Sequence, residues 1–155
     1  MKILIAHPDD ESVGAYNMIR IRNIDEVILI NPFEQFPDVR IEEISEMCKK
    51  NNITFTQVQT VNFEKGEGYL FPTPNSHHPH HKYVAMKYLE ALKEGADVYF
   101  YDVEMIEPWT LRLPLKLSEE KRKFLNKYYP SQKSLWESDY KYWLFEGVIH
   151  LLVPP

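Results

Sequence analysis

The sequence predicts an α/β fold, a Rossmann-like three-layer α/β/α arrangement around a mostly parallel sheet. Short apolar or β-branched runs at residues 2–6, 26–30, 53–61 and 98–103 have the length and character of strands. The stretches between them space their apolar residues as helices do. Such strand–helix alternation implies parallel strands joined by crossover helices. A chain of 155 residues with no internal repeat, low-complexity tract or linker reads as one domain, 1–155. That length can bury a core without disulfide or metal staples.

Lys2 to Ala6 is the first strand. Glu11 to about Arg22 reads as a helix, with Val13, Tyr16, Met18 and Ile19 apolar. Glu26 to Ile30 is a second strand, ended by Asn31-Pro32, and 31–37 is loop. From Val39 to Lys50, the residues Ile41, Ile44, Met47 and Cys48 share one face of an amphipathic helix, which Asn51-Asn52 stops. Ile53 to Val61 alternates and is rich in β-branched residues, a third strand. Residues 62–76 carry Gly66, Gly68, Pro72 and Pro74 and read as loop. After His77–His81 a helix runs to about Lys93, with Val84, Ala85, Tyr88, Leu89 and Leu92 on one face and Gly95 as its C-terminal cap. Val98 to Val103 is the fourth strand.

The remainder is less regular. Pro108 to Pro114 is loop. Ser118 followed by Glu119-Glu120 marks a helix start that runs to about Tyr129. Pro130 interrupts the pattern, which resumes over 131–146 through Leu135, Trp136, Tyr140, Trp143 and Leu144. The apolar end, Val148 to Val153, suits an edge strand or an interface patch.

Composition excludes several classes. A net charge of −5 without a basic stripe argues against a nucleic-acid partner. No apolar run approaches the ~18 residues of a membrane span. Asp9 and Asp10 break the first apolar run too early for a signal peptide. The single cysteine, Cys48, excludes an internal disulfide and suits a reducing compartment, so the expectation is cytoplasmic. On a helix's apolar face, Cys48 reads as core rather than nucleophile. Trp109, Trp136 and Trp143 could stack on sugar faces, but aromatics are more often core.

The chemistry concentrates after the first strand, in Ala6-His7-Pro8-Asp9-Asp10-Glu11. In open α/β sheets ligands bind beyond the carboxyl ends of strands. One imidazole and three carboxylates within five positions are expensive to desolvate unless a cation compensates them. A histidine with an aspartate suits zinc and leaves two carboxylates for other work. The plain alternative is a polar strand-to-helix turn with Asp9 or Asp10 as its N-cap. The distribution of histidines weighs against it: four of the six lie in His77-His78-Pro79-His80-His81, and one is His7. Pro79 suits the first position of a helix, so His78 and His81 would flank its start. One could ligate a metal while the other moves a proton.

Together, Ala6-His7-Pro8-Asp9-Asp10-Glu11 and the downstream His78-Pro79-His80-His81 resemble the zinc-dependent de-N-acetylases of the PIG-L or LmbE-like family, which includes N-acetylglucosaminyl deacetylases. Arg40-Ile41-Glu42-Glu43 looks like that family's Arg-x-x-Glu. Ser131-Gln132 looks like the end of its His-x-Ser-Gln, with Tyr129 in place of the histidine. The resemblance spans roughly residues 1–135 and implies an LmbE-like fold. It implies zinc held by His7, Asp10 and His81, with Asp9 as general base on the zinc-held water. His78 would protonate the leaving amine or stabilise the oxyanion, and Arg40 would contact the substrate near the acyl group. Three protein ligands leave zinc open to water and to the amide carbonyl. A carboxylate can then take a proton and an imidazole return one.

The chain departs from the family in having His80 where an aspartate is usual, and in its short His7–His81 spacing and overall length. A compact pocket suits a smaller substrate or one completed by a neighbour in a homo-oligomer. The function expected is a zinc hydrolase that removes an acetyl group from an N-acetylated amino sugar or sugar conjugate. The alternatives are a zinc hydrolase of another amide and a non-catalytic member that binds metal or sugar. A nucleotide-binding Rossmann domain is disfavoured because no Gly-x-Gly-x-x-Gly follows the first strand.

Overall fold

The computed structural model describes residues 1–31 and 35–152. Part of the expected 31–37 loop, and Val153 at the end of the apolar tail, lie outside the described residues. The strands are β1 (Lys2–Ile5), β2 (Glu26–Ile30), β3 (Thr54–Val58), β4 (Gly68–Pro72), β5 (Asp97–Tyr101), β6 (Leu111–Arg112), β7 (Phe145–Glu146) and β8 (Val148–Leu151). Six of them form one sheet in the order β3-β2-β1-β4-β5-β8, and β6 pairs with β7 in a separate ribbon. All neighbours in the large sheet are parallel except β8, which closes one edge antiparallel to β5 with Phe100 opposite Ile149.

The alternation of strand side chains explains the continuous apolar runs. Ile3 and Ile5 belong to one core with Val27, Leu29, Ile44, Leu125 and Trp136. Leu4 and Ala6 belong to the other, with Ile28, Ile30, Tyr69, Phe71, Val84 and Ala91. A strand covered on both faces must be apolar at every position. The first core is built with α1 (Asp10–Gly14), α2 (Tyr16–Arg20), α3 (Asp38–Lys50), α6 (Leu115–Tyr128) and α7 (Lys133–Ser138). The second is built with α4 (Pro79–Met86) and α5 (Tyr88–Lys93). The result is the three-layer α/β/α arrangement expected. Cys48 is core, and burial pushes its thiol up. Among the described residues no helix is long and apolar enough to cross a membrane.

Several boundaries differ from expectation. The helix expected to run to about Lys93 is broken at Lys87 into α4 and α5, β3 ends at Val58 rather than Val61, β5 ends at Tyr101 rather than Val103, and the expected 108–114 loop holds β6. Residues 62–76 are not all loop, because Gly68–Pro72 is a central strand between β1 and β5. Its Tyr69, Leu70 and Phe71 are fully buried, and the turn-forming Gly68 and Pro72 stand only at its ends. The ladder continues past Pro72 through Thr73 N–H to the Tyr101 carbonyl, 2.8 Å. The expected 11–22 helix is broken at Ala15, whose φ of −140° and ψ of 30° are not helical. Helix α6 begins at Leu115, not near Ser118. Pro114 is extended there and starts the helix earlier, and the Ser118 hydroxyl returns to the Leu115 carbonyl at 2.8 Å. The 131–146 stretch is a 3-10 turn (Pro130–Gln132), α7, α8 (Lys141–Leu144) and β7 rather than one helix.

Gly95 caps α5 as expected. Its φ is +77°, and Gly95 N–H and Ala96 N–H return to Leu92 and Ala91 carbonyls. Lys121, on α6, is fully buried. It donates to the Val13 carbonyl and, at 2.8 Å, to the Phe145 carbonyl, and stands 3.5 Å from Glu146. Charge, rather than apolar area alone, thus ties α6 to α1 and β7.

Candidate metal centre

Strands β1 and β4 are parallel neighbours, so the segments leaving their C-terminal ends emerge on the same edge of the sheet. One carries His7, Asp9 and Asp10. The other carries Ser76, His78 and His81, the last two at the start of α4. His78 is the N-cap: its Nδ1 accepts the His80 N–H at 3.3 Å, and Pro79 occupies the first helical position.

His7 Nδ1 lies 3.0 Å from His81 Nε2 and 3.6 Å from Asp10 Oδ2, and His81 Nε2 lies 3.1 Å from Asp10 Oδ1. Ligands about 2.0–2.1 Å from a tetrahedral zinc stand roughly 3.3 Å apart. The three separations bracket that value, and two imidazoles with one carboxylate are a zinc-compatible donor set. His7, Asp10 and His81 could therefore hold a metal ion.

The surroundings orient these groups. Asp10 Oδ2 accepts the Ala6 and His7 N–H groups at 3.0 and 2.8 Å. Burial opposes its charge, but His81 and His7 beside it hold its carboxyl well below the usual range. For His81, burial pulls the other way and Asp10 raises it. The second His81 nitrogen, Nδ1, lies 3.3 Å from the buried Ser76 hydroxyl, which fixes the ring's direction.

Asp9 adopts a φ of +131°, a strained value for a residue with a side chain. Its N–H donates to Glu11 Oε2 at 3.3 Å. Glu11 is itself fully buried and accepts from the Ser12 and Tyr129 hydroxyls. Burial, then the charge of Asp10, pushes the Asp9 carboxyl well up, and Arg40 opposes them. Arg40 Nη2 lies 3.2 Å from Asp9 Oδ2 and 3.0 Å from the Pro8 carbonyl.

A cavity of about 320 Å³ opens over this edge, with His7, Asp9, Asp10, Arg40, His78 and His81 all in its wall. Every candidate residue of the sequence thus meets in one place. Other groups carried no signal in the sequence. Ser76 is one. Glu104, also in the wall, accepts the His77 N–H at 2.8 Å. Glu11 is a buried hub rather than a group facing the cavity. The Ser131-Gln132 and Arg-x-x-Glu stretches meet too: Glu43 accepts Ser131 N–H and Oγ–H at 2.8 and 2.6 Å, and Gln132 reaches the cavity wall. Trp109, Trp136 and Trp143 pack into the cores, as expected, and none lines this cavity.

No protein-family model matches the chain, and no curated protein matches it in sequence. Solved structures do share its fold. A conserved protein of Thermus thermophilus is 12% identical, with a TM-score of 0.64 over 99% of this chain and 96% of that one. The N,N′-diacetylchitobiose deacetylase of Pyrococcus horikoshii, solved with an inhibitor, is 15% identical, with a TM-score of 0.63 over 97% and 83%. The 4-carboxy-2-hydroxymuconate hydratase of Pseudomonas putida is 11% identical, with a TM-score of 0.65 over 99% and 96%. At these identities the likeness is one of fold, and the fold carries a hydratase as well as a deacetylase.

Proposed function

We propose that the chain works as one domain, 1–155, and is a metal-dependent hydrolase that removes an acetyl group from an N-acetylated amino sugar or sugar conjugate. The observation that carries this reading is the convergence of His7, Asp10 and His81 within coordination distance of one another, with Asp9 beside them in the same cavity wall. A carboxylate next to such a ligand set, and paired to an arginine, is the equipment of amide hydrolysis. The deacetylase among the structural neighbours agrees with it.

A divalent cation held by His7, Asp10 and His81, zinc by the donor set, would polarise the amide carbonyl and lower the pKa of water. The chain's own groups supply the rest. Asp9 takes the proton of the attacking water, a contribution of typically ~10²–10⁴-fold. Arg40 opposes the burial and the Asp10 charge that push this carboxyl up. The Arg40 guanidinium also contacts the substrate near the acyl group. His78 has its Nδ1 engaged by the His80 N–H, which leaves Nε2 to hydrogen-bond the developing oxyanion or protonate the departing nitrogen. Glu104 and Gln132 give the cavity polar groups for sugar hydroxyls. The cavity is at the low end of the ~300–1,000 Å³ range of small-molecule sites, which suits a small sugar unit.

The test is acetate release from a panel of N-acetylated amino sugars, N-acetylglucosamine and N,N′-diacetylchitobiose among them, by zinc-loaded protein. Release that a chelator abolishes and zinc restores supports the reading. Binding of zinc and sugars without any release would make the chain a non-catalytic binder instead.

A further inference from the structure

His80 takes no part in the chemistry above, yet it stands in a cluster with two histidines that do. The ring centroids of His7 and His78 are 4.6 Å apart, those of His7 and His80 5.5 Å, and those of His78 and His80 5.2 Å. One donor nitrogen from each lies within 4.8 Å of the others. The scaffold that presents them is held at several points. Ser76 Oγ accepts the His78 N–H at 3.2 Å, His78 Nδ1 accepts the His80 N–H, and Pro79 stiffens the link between the two. The His78 nitrogen left over is Nε2. His78 is exposed and His7 and His80 are partly so, which lets a cation arrive from solution without opening the fold.

We propose that His7, His78 and His80 form a second cation site that shares His7 with the first. Its three imidazole donors select a borderline cation, Ni²⁺, Cu²⁺ or excess Zn²⁺, over Mg²⁺, Ca²⁺ or Mn²⁺. Resting on the hydrolase reading, occupation has a regulatory consequence. It withdraws His78 from the substrate and competes for His7, so a borderline cation beyond the first equivalent inhibits.

The test titrates Ni²⁺ by calorimetry into the chelator-treated full chain, as wild type, His80→Asn and His81→Asn. His80→Asn is expected to weaken Ni²⁺ at least tenfold while still holding its first equivalent of zinc. His81→Asn is expected to lose the first, tighter equivalent of zinc and keep Ni²⁺. Unchanged Ni²⁺ affinity in His80→Asn overturns the proposal and makes the cation adventitious. Loss of Ni²⁺ from folded His81→Asn overturns it as well, by placing Ni²⁺ in the first set. The His80 side chain is partly exposed, so its variant reads the site even where His81→Asn unfolds, and the nitrogen hyperfine pattern of bound Cu²⁺ should change in it. The hydrolase reading fails separately, on the zinc content of His81→Asn and on acetate release by the wild type.

Discussion

Tyr129 donates its hydroxyl hydrogen to the carboxylate of Glu11, 118 residues earlier in the chain, and both side chains are fully buried. The other Glu11 oxygen accepts the N–H of Asp9, whose backbone sits at a φ of +131°. A contact in the core thus supports the strained backbone at the edge of the cavity.

Tyr129→Phe removes that donor and leaves a buried carboxylate short of a partner. The expected loss is about 1–3 kcal/mol of stability, read from urea midpoints. An unchanged midpoint would show that Glu11 finds its partner elsewhere.

Arg40→Met leaves Asp9 without the cation that opposes its burial and the charge of Asp10. More of Asp9 is then protonated. Acetate release is expected to fall more than about tenfold, ~1.4 kcal/mol, with zinc content unchanged. Undiminished release would reduce Arg40 to a surface charge near a helix start.

Gly14→Ala sets two effects against each other. Helix propensity favours alanine by about 1 kcal/mol. The added methyl, however, would collide with the ring of Tyr101, which is buried and donates to the Leu4 carbonyl at 2.8 Å. Overpacking typically costs about 1–3 kcal/mol, so a lower melting temperature is expected. A higher one would mean that Tyr101 yields freely.

Burial pushes the Lys121 ammonium down to about 8 from its ordinary 10.5, with Glu146 opposing the shift. Between those values the unfolded chain binds more protons than the folded one, so this group makes stability rise with pH. Across the full window the effect is on the order of 3 kcal/mol. The comparison is Lys121→Met/Glu146→Gln, where the pair is uncharged. From pH 8 to 10 the wild type should gain melting temperature relative to that variant. Parallel changes in the two proteins would contradict it.

What the sequence made legible follows from burial. Ile3-Leu4-Ile5 and Val27 to Ile30 are covered on both faces, so an unbroken apolar run announces each strand. The segment after β1 was readable because His7, Asp9 and Asp10 are costly to bury together unless a cation compensates them, and four further histidines stand in 77–81. Strand β4 was hidden by its own ends, since only Tyr69, Leu70 and Phe71 stand between Gly68 and Pro72. That strand is what delivers His81 to the edge where His7 waits. No proline marks the break at Ala15, and the periodicity around it continues. Ser76 and Glu104 were invisible because their partners are His81 and the His77 N–H, and Glu11 stood in the motif with nothing to show that its partner is Tyr129. Pairings with Tyr129 and across β5 exist only once the chain has folded.

The most direct test of the central claim is acetate release by Asp9→Asn beside its zinc content. Asparagine tolerates a positive φ, keeps the shape of the side chain and removes its basicity. The account predicts one retained zinc, retained sugar binding and a loss of ~10²–10⁴-fold in acetate release. Asp10→Asn should instead weaken the metal itself. If Asp9→Asn holds zinc and releases acetate as fast as the wild type, Asp9 is not the base and the hydrolase reading falls.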